Sequence, residues 1–141
     1  MRTCAVGLVL AWLAVLSCYD VAERRLPNLL TLPGAAVILL VAAFAGRGVP
    51  ALAGAAALAG VYLVVHLLSP TGMGAGDVKL AIGLGGLAGC FGVGVWFLAA
   101  LAAPLLTALW GAAARLAGGA AVPHGPSMCL ATACAVGLAV V

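Results

Sequence analysis

Three side chains are the only acids in this sequence: Asp20, Glu23 and Asp77. Asp20 and Asp77 each adjoin a long apolar segment, where an ionisable group costs on the order of 2.5–3.5 kcal/mol. Two carboxyl groups that lie close together resist double ionisation. One of them keeps its proton, and the other is ionised and can accept a proton from another group. If Asp20 and Asp77 meet in the fold, they form a pair suited to general acid and base catalysis.

Each acidic residue also has an ordinary structural interpretation. Asp77 follows a glycine-rich turn and precedes an apolar segment, a position in which it would cap a helix N-terminus. Asp20 and Glu23 lie near Arg24 and Arg25, an arrangement typical of solvated ion pairs at a membrane interface. The residue types and their spacing leave these interpretations open.

The composition predicts the setting of these residues. Hydrophobic residues make up 67% of the 141 residues and charged residues only 6%, whereas a soluble domain has roughly 25% charged residues. This excludes a water-soluble globule and a disordered chain. A net charge of +3 makes no basic face, so nucleic acid is not an expected partner. We therefore predict an all-α integral membrane protein in a lipid bilayer, with one domain over residues 1–141.

Windows without charge predict about six transmembrane helices, since a span needs about 20 apolar residues. The window from Lys79 to Arg115 is too long for one helix and short for two, and we divide it at 89–92, where glycine is frequent. No segment alternates with period two, which excludes a β-barrel. The predicted helices are about 3–19, 28–45, 51–68, 78–89, 92–115 and 127–141.

The basic residues predict the orientation. With the N-terminus outside, four of the six lie on the cytoplasmic side, as the positive-inside rule favours. Those inside are Arg24, Arg25, Lys79 and Arg115, and those outside are Arg2 and Arg47. In this topology Asp20 and Asp77 both lie at the cytoplasmic boundary of the membrane.

The five cysteines are scattered through apolar segments without a CxxC pair, so we predict buried small side chains and no metal site. They are Cys4, Cys18, Cys90, Cys129 and Cys134. The segment 15–18 is similar to a lipoprotein cleavage box, but Leu16 stands where a small residue is usual. Five further apolar segments follow, which argues against a lipoprotein.

Three motifs stand beside predicted helix ends. D-V-A-E-R-R-L-P-N occupies 20–28, G-M-G-A-G-D occupies 72–77, and P-H-G-P occupies 123–126. The first resembles the D-x(3)-R-x-L-P-N segment of the type IV prepilin leader peptidases, and the second resembles their G-x-G-D segment. The third is similar to their P-F-G-P, with His124 in place of phenylalanine. The motifs occur in the family order, and the resemblance extends over roughly the whole chain.

The resemblance implies a membrane aspartic endopeptidase in which Asp20 and Asp77 are catalytic. Gly74 and Gly76 match the motif glycines, which permit close backbone approach and positive φ. The enzyme would remove the basic leader of a prepilin or pseudopilin precursor after a glycine, at the cytoplasmic face of the bacterial cytoplasmic membrane. No metal or organic cofactor is implied. Without the paired CxxC motifs of larger members, we expect no methyltransferase activity.

For each of several other residues near the motifs, the sequence allows two alternative roles. Lys79 either neutralises charge at the site or extends to the interface, and Arg24 and Arg25 either orient the substrate or fix the topology. His124 is either structural or a pH-sensitive contact near the site. His66 is predicted to form a hydrogen bond between helices.

The alternative function is a small transporter or proton-conducting subunit in which Asp20 and Asp77 relay ions. A catalytically silent assembly protein is a third hypothesis, for which the sequence offers no sign. The position of the carboxylates separates the first two hypotheses. A relay needs them at membrane depth, whereas a leader peptidase needs them at the cytoplasmic rim.

Overall fold

The computed structural model describes residues 2–141, and side-chain burial from residue 4 onward. Over this part the chain forms six α-helices and no strand, which confirms the predicted all-α fold. The helices are α1 Arg2–Glu23, α2 Asn28–Phe44, α3 Gly48–Leu68, α4 Ala75–Gly89, α5 Val93–Leu116 and α6 Gly125–Val140.

Several helices extend beyond their predicted ends. Helix α1 continues through Asp20 to Glu23, because no proline or glycine interrupts it there. Helices α3 and α6 begin earlier than predicted and contain Pro50 and Pro126 in their first turns. Proline is compatible with a first turn, since the N–H that it lacks would have no partner within the helix.

Helix α4 is the centre of the bundle. It contacts α2, α3, α5 and α6, and nine of its 15 residues are buried. Its contact with α3 is close enough to require glycine. A Cβ atom on Gly85 would lie 2.5 Å from the Gly54 carbonyl oxygen, and one on Gly89 would lie 2.5 Å from the Pro50 carbonyl oxygen. Small residues of this kind let helix backbones pack directly against each other in membranes.

Two tryptophans link neighbouring helices through hydrogen bonds from their indole N–H groups. Trp12 of α1 donates to the Leu30 carbonyl of α2, and Trp96 of α5 donates to the Gly54 carbonyl of α3, both at 2.9 Å. The indoles thereby use backbone acceptors of neighbouring helices, and their rings fill apolar space between them.

The exterior of the bundle is apolar. Leu29, Phe44 and Leu116 are at least 85% exposed, and contiguous surfaces of this kind are unsuited to water. Within the described residues, three segments are long and apolar enough to cross a membrane: Cys4–Glu23, Gly48–Leu68 and Val93–Leu116. Helices α2 and α6 are apolar but shorter. The chain is therefore a membrane protein, while the orientation of its N-terminus stays a prediction.

The cysteine prediction is wrong for most positions. Only Cys129 is buried, and Cys90 is partly buried. Cys4, Cys18 and Cys134 are exposed on the helix surfaces. These thiols lie on the outer surface of the bundle, a property that composition does not reveal.

We expect Gly85→Ala to destabilise the bundle by about 1–3 kcal/mol, because the added methyl overlaps the α3 backbone and forces the helices apart. The measurement is reversible unfolding in mixed micelles. Gly60→Ala is the matched control, since a Cβ atom there meets nothing within 4 Å. Equal stability of the two variants would contradict the close contact between α3 and α4.

Candidate active site

A pocket of about 260 Å³ opens where α1 ends and α4 begins. It gathers the candidate residues of the first two motifs, which lie in separate parts of the sequence. All seven candidate site residues line it, together with three of their neighbours. The lining residues are Asp20, Arg24, Arg25, Leu26, Asn28, Gly74, Ala75, Gly76, Asp77 and Lys79.

Asp20 is buried, with 7% of its surface exposed. Its Oδ2 accepts a hydrogen bond of 2.9 Å from the backbone N–H of Gly125, the first residue of α6. That N–H has no acceptor within its own helix, so Asp20 caps α6 from another part of the chain. A negative charge at this end is also favoured by the α6 dipole. The carboxylate is therefore bonded inside the protein and is not a solvated ion-pair partner.

Gly125 is a residue at the site to which the sequence assigned no role. A Cβ atom on Gly125 would overlap Oδ2 of Asp20, so any other residue would displace the carboxylate. The P-H-G-P motif was the available signal. Within this motif, Gly125 contacts Asp20, which lies 105 positions earlier in the sequence. A local sequence pattern does not specify such a tertiary contact.

Asp77 is also buried, with 9% exposed, but it is not the helix cap. Gly74 occupies the N-cap position of α4, and Asp77 is the third residue of the helix. Its carboxylate turns back toward Gly74, a position from which an acid stabilises the first turn. Asp77 is thus an acid in the first turn of α4 and not the N-cap residue that the sequence suggested. This position leaves the Asp77 side chain in the pocket with Asp20.

The two motif glycines serve different purposes. A Cβ atom on Gly76 would lie 3.1 Å from Cβ of Leu26, so Gly76 lets the α1–α2 connection pack against α4. Gly74 has only Asp77 and Gly76 within 4 Å of such an atom, and it leaves the pocket open beside the carboxylate. Neither is among the described glycines with positive φ, so the expectation of positive φ is wrong.

Lys79 and Arg24 form hydrogen bonds to neighbouring segments of the chain. Lys79 donates a hydrogen bond of 2.9 Å to Oδ1 of Asn28, which links α4 to the start of α2. Arg24 adopts φ +50°, and its Nη2 donates at 2.8 Å to the Ala121 carbonyl in the α5–α6 connection. Arg24 therefore has a structural role that neither of its sequence interpretations included.

His124 is held at both ring nitrogens. The Tyr62 hydroxyl lies 2.9 Å from Nε2, and Oγ1 of Thr107 is hydrogen-bonded to Nδ1. Thr107 Oγ1 also donates to the Ala103 carbonyl at 3.1 Å, so it accepts the hydrogen bond from the Nδ1–H group. Burial lowers the pKa of His124 below its ordinary value, which favours the neutral ring. In the neutral ring Nε2 carries no proton, and the Tyr62 hydroxyl donates to it.

His66 bonds to a connection and not to another helix. Its Nδ1 donates to the Met73 carbonyl at 2.7 Å, within the turn that joins α3 to α4. The predicted hydrogen bond between helices is therefore wrong. The side chain instead stabilises the segment that precedes the second motif.

The described residues contain no group of three or more His, Cys, Asp or Glu side chains able to hold a metal ion. The chemistry available in the pocket is that of two buried carboxylates with cationic neighbours. Such a site can exchange protons with water or with a bound substrate.

Comparison with known proteins agrees with the three motifs. A family model described as the type IV leader peptidase family matches residues 7–140, which includes both aspartates and the P-H-G-P segment. No curated protein and no solved structure gives a significant match.

We expect Arg24→Ala to be less stable than Arg24→Gly by about 1 kcal/mol, because the left-handed backbone disfavours a Cβ atom. Both variants lose the hydrogen bond to the Ala121 carbonyl. The difference between their stabilities therefore measures the effect of the backbone conformation at position 24. Unfolding midpoints in detergent provide the measurement. The control is the same pair of substitutions at Arg25, where φ is not positive and glycine should give no advantage. An equal difference at both positions would contradict this account.

Proposed function

The chain belongs to the type IV leader peptidase family, and from this premise we propose that it is an aspartic endopeptidase. Its substrates are prepilin or pseudopilin precursors, from which it removes a short basic leader after a glycine. One observation carries the proposal: Asp20 and Asp77 are 57 positions apart in the sequence and line the same pocket.

The reaction uses the two carboxylates in different protonation states. The ionised one accepts a proton from water as the water oxygen bonds to the peptide carbonyl carbon, and the protonated one donates to the carbonyl oxygen. The carboxyl group that took the water proton then gives it to the leaving nitrogen as the C–N bond of the tetrahedral intermediate breaks. One hydroxyl group of the intermediate returns its proton to the other carboxylate, which leaves the new carboxyl terminus. The products are a leader with a new carboxyl terminus and a mature chain with a new amine. Both carboxyl groups return to their starting states.

The surroundings of the carboxylates suit an extended peptide. Gly74 leaves the pocket open beside Asp77, so a substrate backbone can approach without meeting a side chain. The exposed apolar flanks of the helices give the substrate's hydrophobic N-terminal helix a membrane surface to pack against. The cleavage point then falls where that helix leaves the membrane.

The proposed location is the bacterial cytoplasmic membrane, with the N-terminus outside and the pocket facing the cytoplasm. Arg24, Arg25 and Lys79 all line the pocket, and basic residues favour the cytoplasmic side of a membrane. Arg115 lies in the last turn of α5, which ends on the same side in an alternating topology. The distribution of charge thus supports this orientation.

The carboxylate positions favour this proposal over an ion relay. Asp20 lies in the last turn of α1, and Asp77 in the first turn of α4, whereas a relay needs ionisable groups in the middle of the membrane. Loss of ion flux in aspartate variants without any peptide cleavage would favour the relay instead.

Asp20→Asn and Asp77→Asn should each abolish cleavage, because an amide can neither accept nor donate the required proton. Each variant should remain folded, since asparagine is nearly isosteric with aspartate and keeps an acceptor oxygen for the Gly125 N–H. The measurement is the gel mobility of a tagged prepilin, with a basic leader ending in glycine, co-expressed with each variant.

Glu23→Gln is the matched control. Glu23 is the third carboxylate of the chain, is exposed, and does not line the pocket, so this variant should cleave as wild type does. Cleavage by either aspartate variant at the wild-type rate would contradict the proposed pair. Failure of well-expressed wild type to cleave several prepilins would contradict the peptidase itself.

A further inference from the structure

The start of α6 is built around Asp20 without lining the pocket. The Gly125 N–H donates to Oδ2 at 2.9 Å, and both residues are buried. The absence of a side chain on Gly125 gives the carboxylate its space. Neither Gly125 nor His124 is among the residues that line the pocket. Gly125 therefore reaches the pocket through its hydrogen bond to Asp20.

His124 fixes the backbone that carries this N–H. It directly precedes Gly125 and is the N-cap residue of α6, although its side chain makes no capping hydrogen bond. The ring bonds to Tyr62 of α3 on one side and to Thr107 of α5 on the other. Tyr62 is itself 5% exposed and belongs to the main hydrophobic core. The start of α6 is thereby attached to two long helices of the bundle.

We propose that His124 and Gly125 are positioning residues that hold Asp20 as the base of the reaction. The inference rests on the proposed peptidase function and extends it. A hydrogen bond donated to a carboxylate stabilises the ionised form, and it occupies Oδ2, which leaves Oδ1 to take the proton from water. The Asp77 carboxylate also lies near the Gly74 backbone, but the hydrogen bond from the Gly125 N–H to Asp20 is the one buried across the bundle. We therefore assign Asp77 as the acid that donates to the carbonyl oxygen.

The geometry explains why a neutral histidine serves this purpose. With Nδ1 donating to Thr107 and Nε2 accepting from Tyr62, the ring has one defined orientation and no unused polar atom. Catalytic groups depend on such fixed placement, because a displacement of about 1 Å can reduce a rate on the order of 100-fold.

The first test is Gly125→Ala, assayed with purified protein in detergent and a prepilin peptide. We expect kcat to fall on the order of 100-fold with KM nearly unchanged, since the added methyl displaces Oδ2 of Asp20 while the other residues that line the pocket stay in place. Gly137→Ala is the matched control in the same helix, because a Cβ atom there meets nothing within 4 Å. A wild-type kcat for Gly125→Ala, or a loss confined to KM, would overturn the inference.

The second test keeps the backbone at Gly125 and changes the ring. His124→Ala removes both hydrogen bonds and should lower kcat about tenfold or more with KM unchanged. His124→Gln offers an amide N–H to Thr107 and an oxygen to Tyr62, so it should recover much of that loss. Equal kcat values for the two His124 variants would overturn the role of the hydrogen bonds, and this pair decides the question if Gly125→Ala does not fold.

The outcomes separate this inference from the function on which it rests. In one outcome, wild type and Gly125→Ala both cleave the prepilin peptide at the same rate, whereas Asp20→Asn and Asp77→Asn do not cleave it. The peptidase function is then supported and the positioning role is wrong. If wild type cleaves no prepilin peptide, the proposed function fails first.

Discussion

The hydrogen bond from the Gly125 amide to the Asp20 carboxylate joins the first helix to the last across 105 positions of sequence. A buried carboxylate without a partner would cost several kcal/mol, and the free N–H at the start of α6 would be unpaired as well. One contact satisfies both groups. The register of α6 against α1 therefore depends on it, and so does the position of Asp20 in the pocket.

The position of Asp77 depends on a different constraint, the packing of α4 in the middle of the bundle. Gly54, Gly85 and Gly89 bring the α3 and α4 backbones into direct contact. In a membrane there is little hydrophobic force between helices, so such close packing and hydrogen bonds determine the arrangement. The packing fixes the height of α4, and with it the depth of Asp77. The presence of both carboxylates in one pocket thus depends on apolar contacts deeper in the bundle.

Hydrogen bonds to the connections complete the arrangement. Arg24 binds the Ala121 carbonyl, His124 binds two helices, and His66 binds the Met73 carbonyl. Each polar side chain satisfies an acceptor or donor that would otherwise be unpaired near the membrane, where such groups are costly. In a chain with 6% charged residues, these few polar side chains organise the end of the bundle that holds the pocket.

The sequence alone determined the membrane setting, six helices, and the family, because these follow from composition, apolar length and short motifs. It also singled out Asp20 and Asp77 as candidates, which a chain with three acidic residues makes conspicuous. Only the tertiary structure decided that Gly125 supports Asp20, that Asp77 lies inside α4, and that three cysteines are exposed. These features depend on which distant backbone atoms meet when the helices pack. Local residue preferences carry no information about such partners, since the same glycine or histidine fits many helix ends equally well.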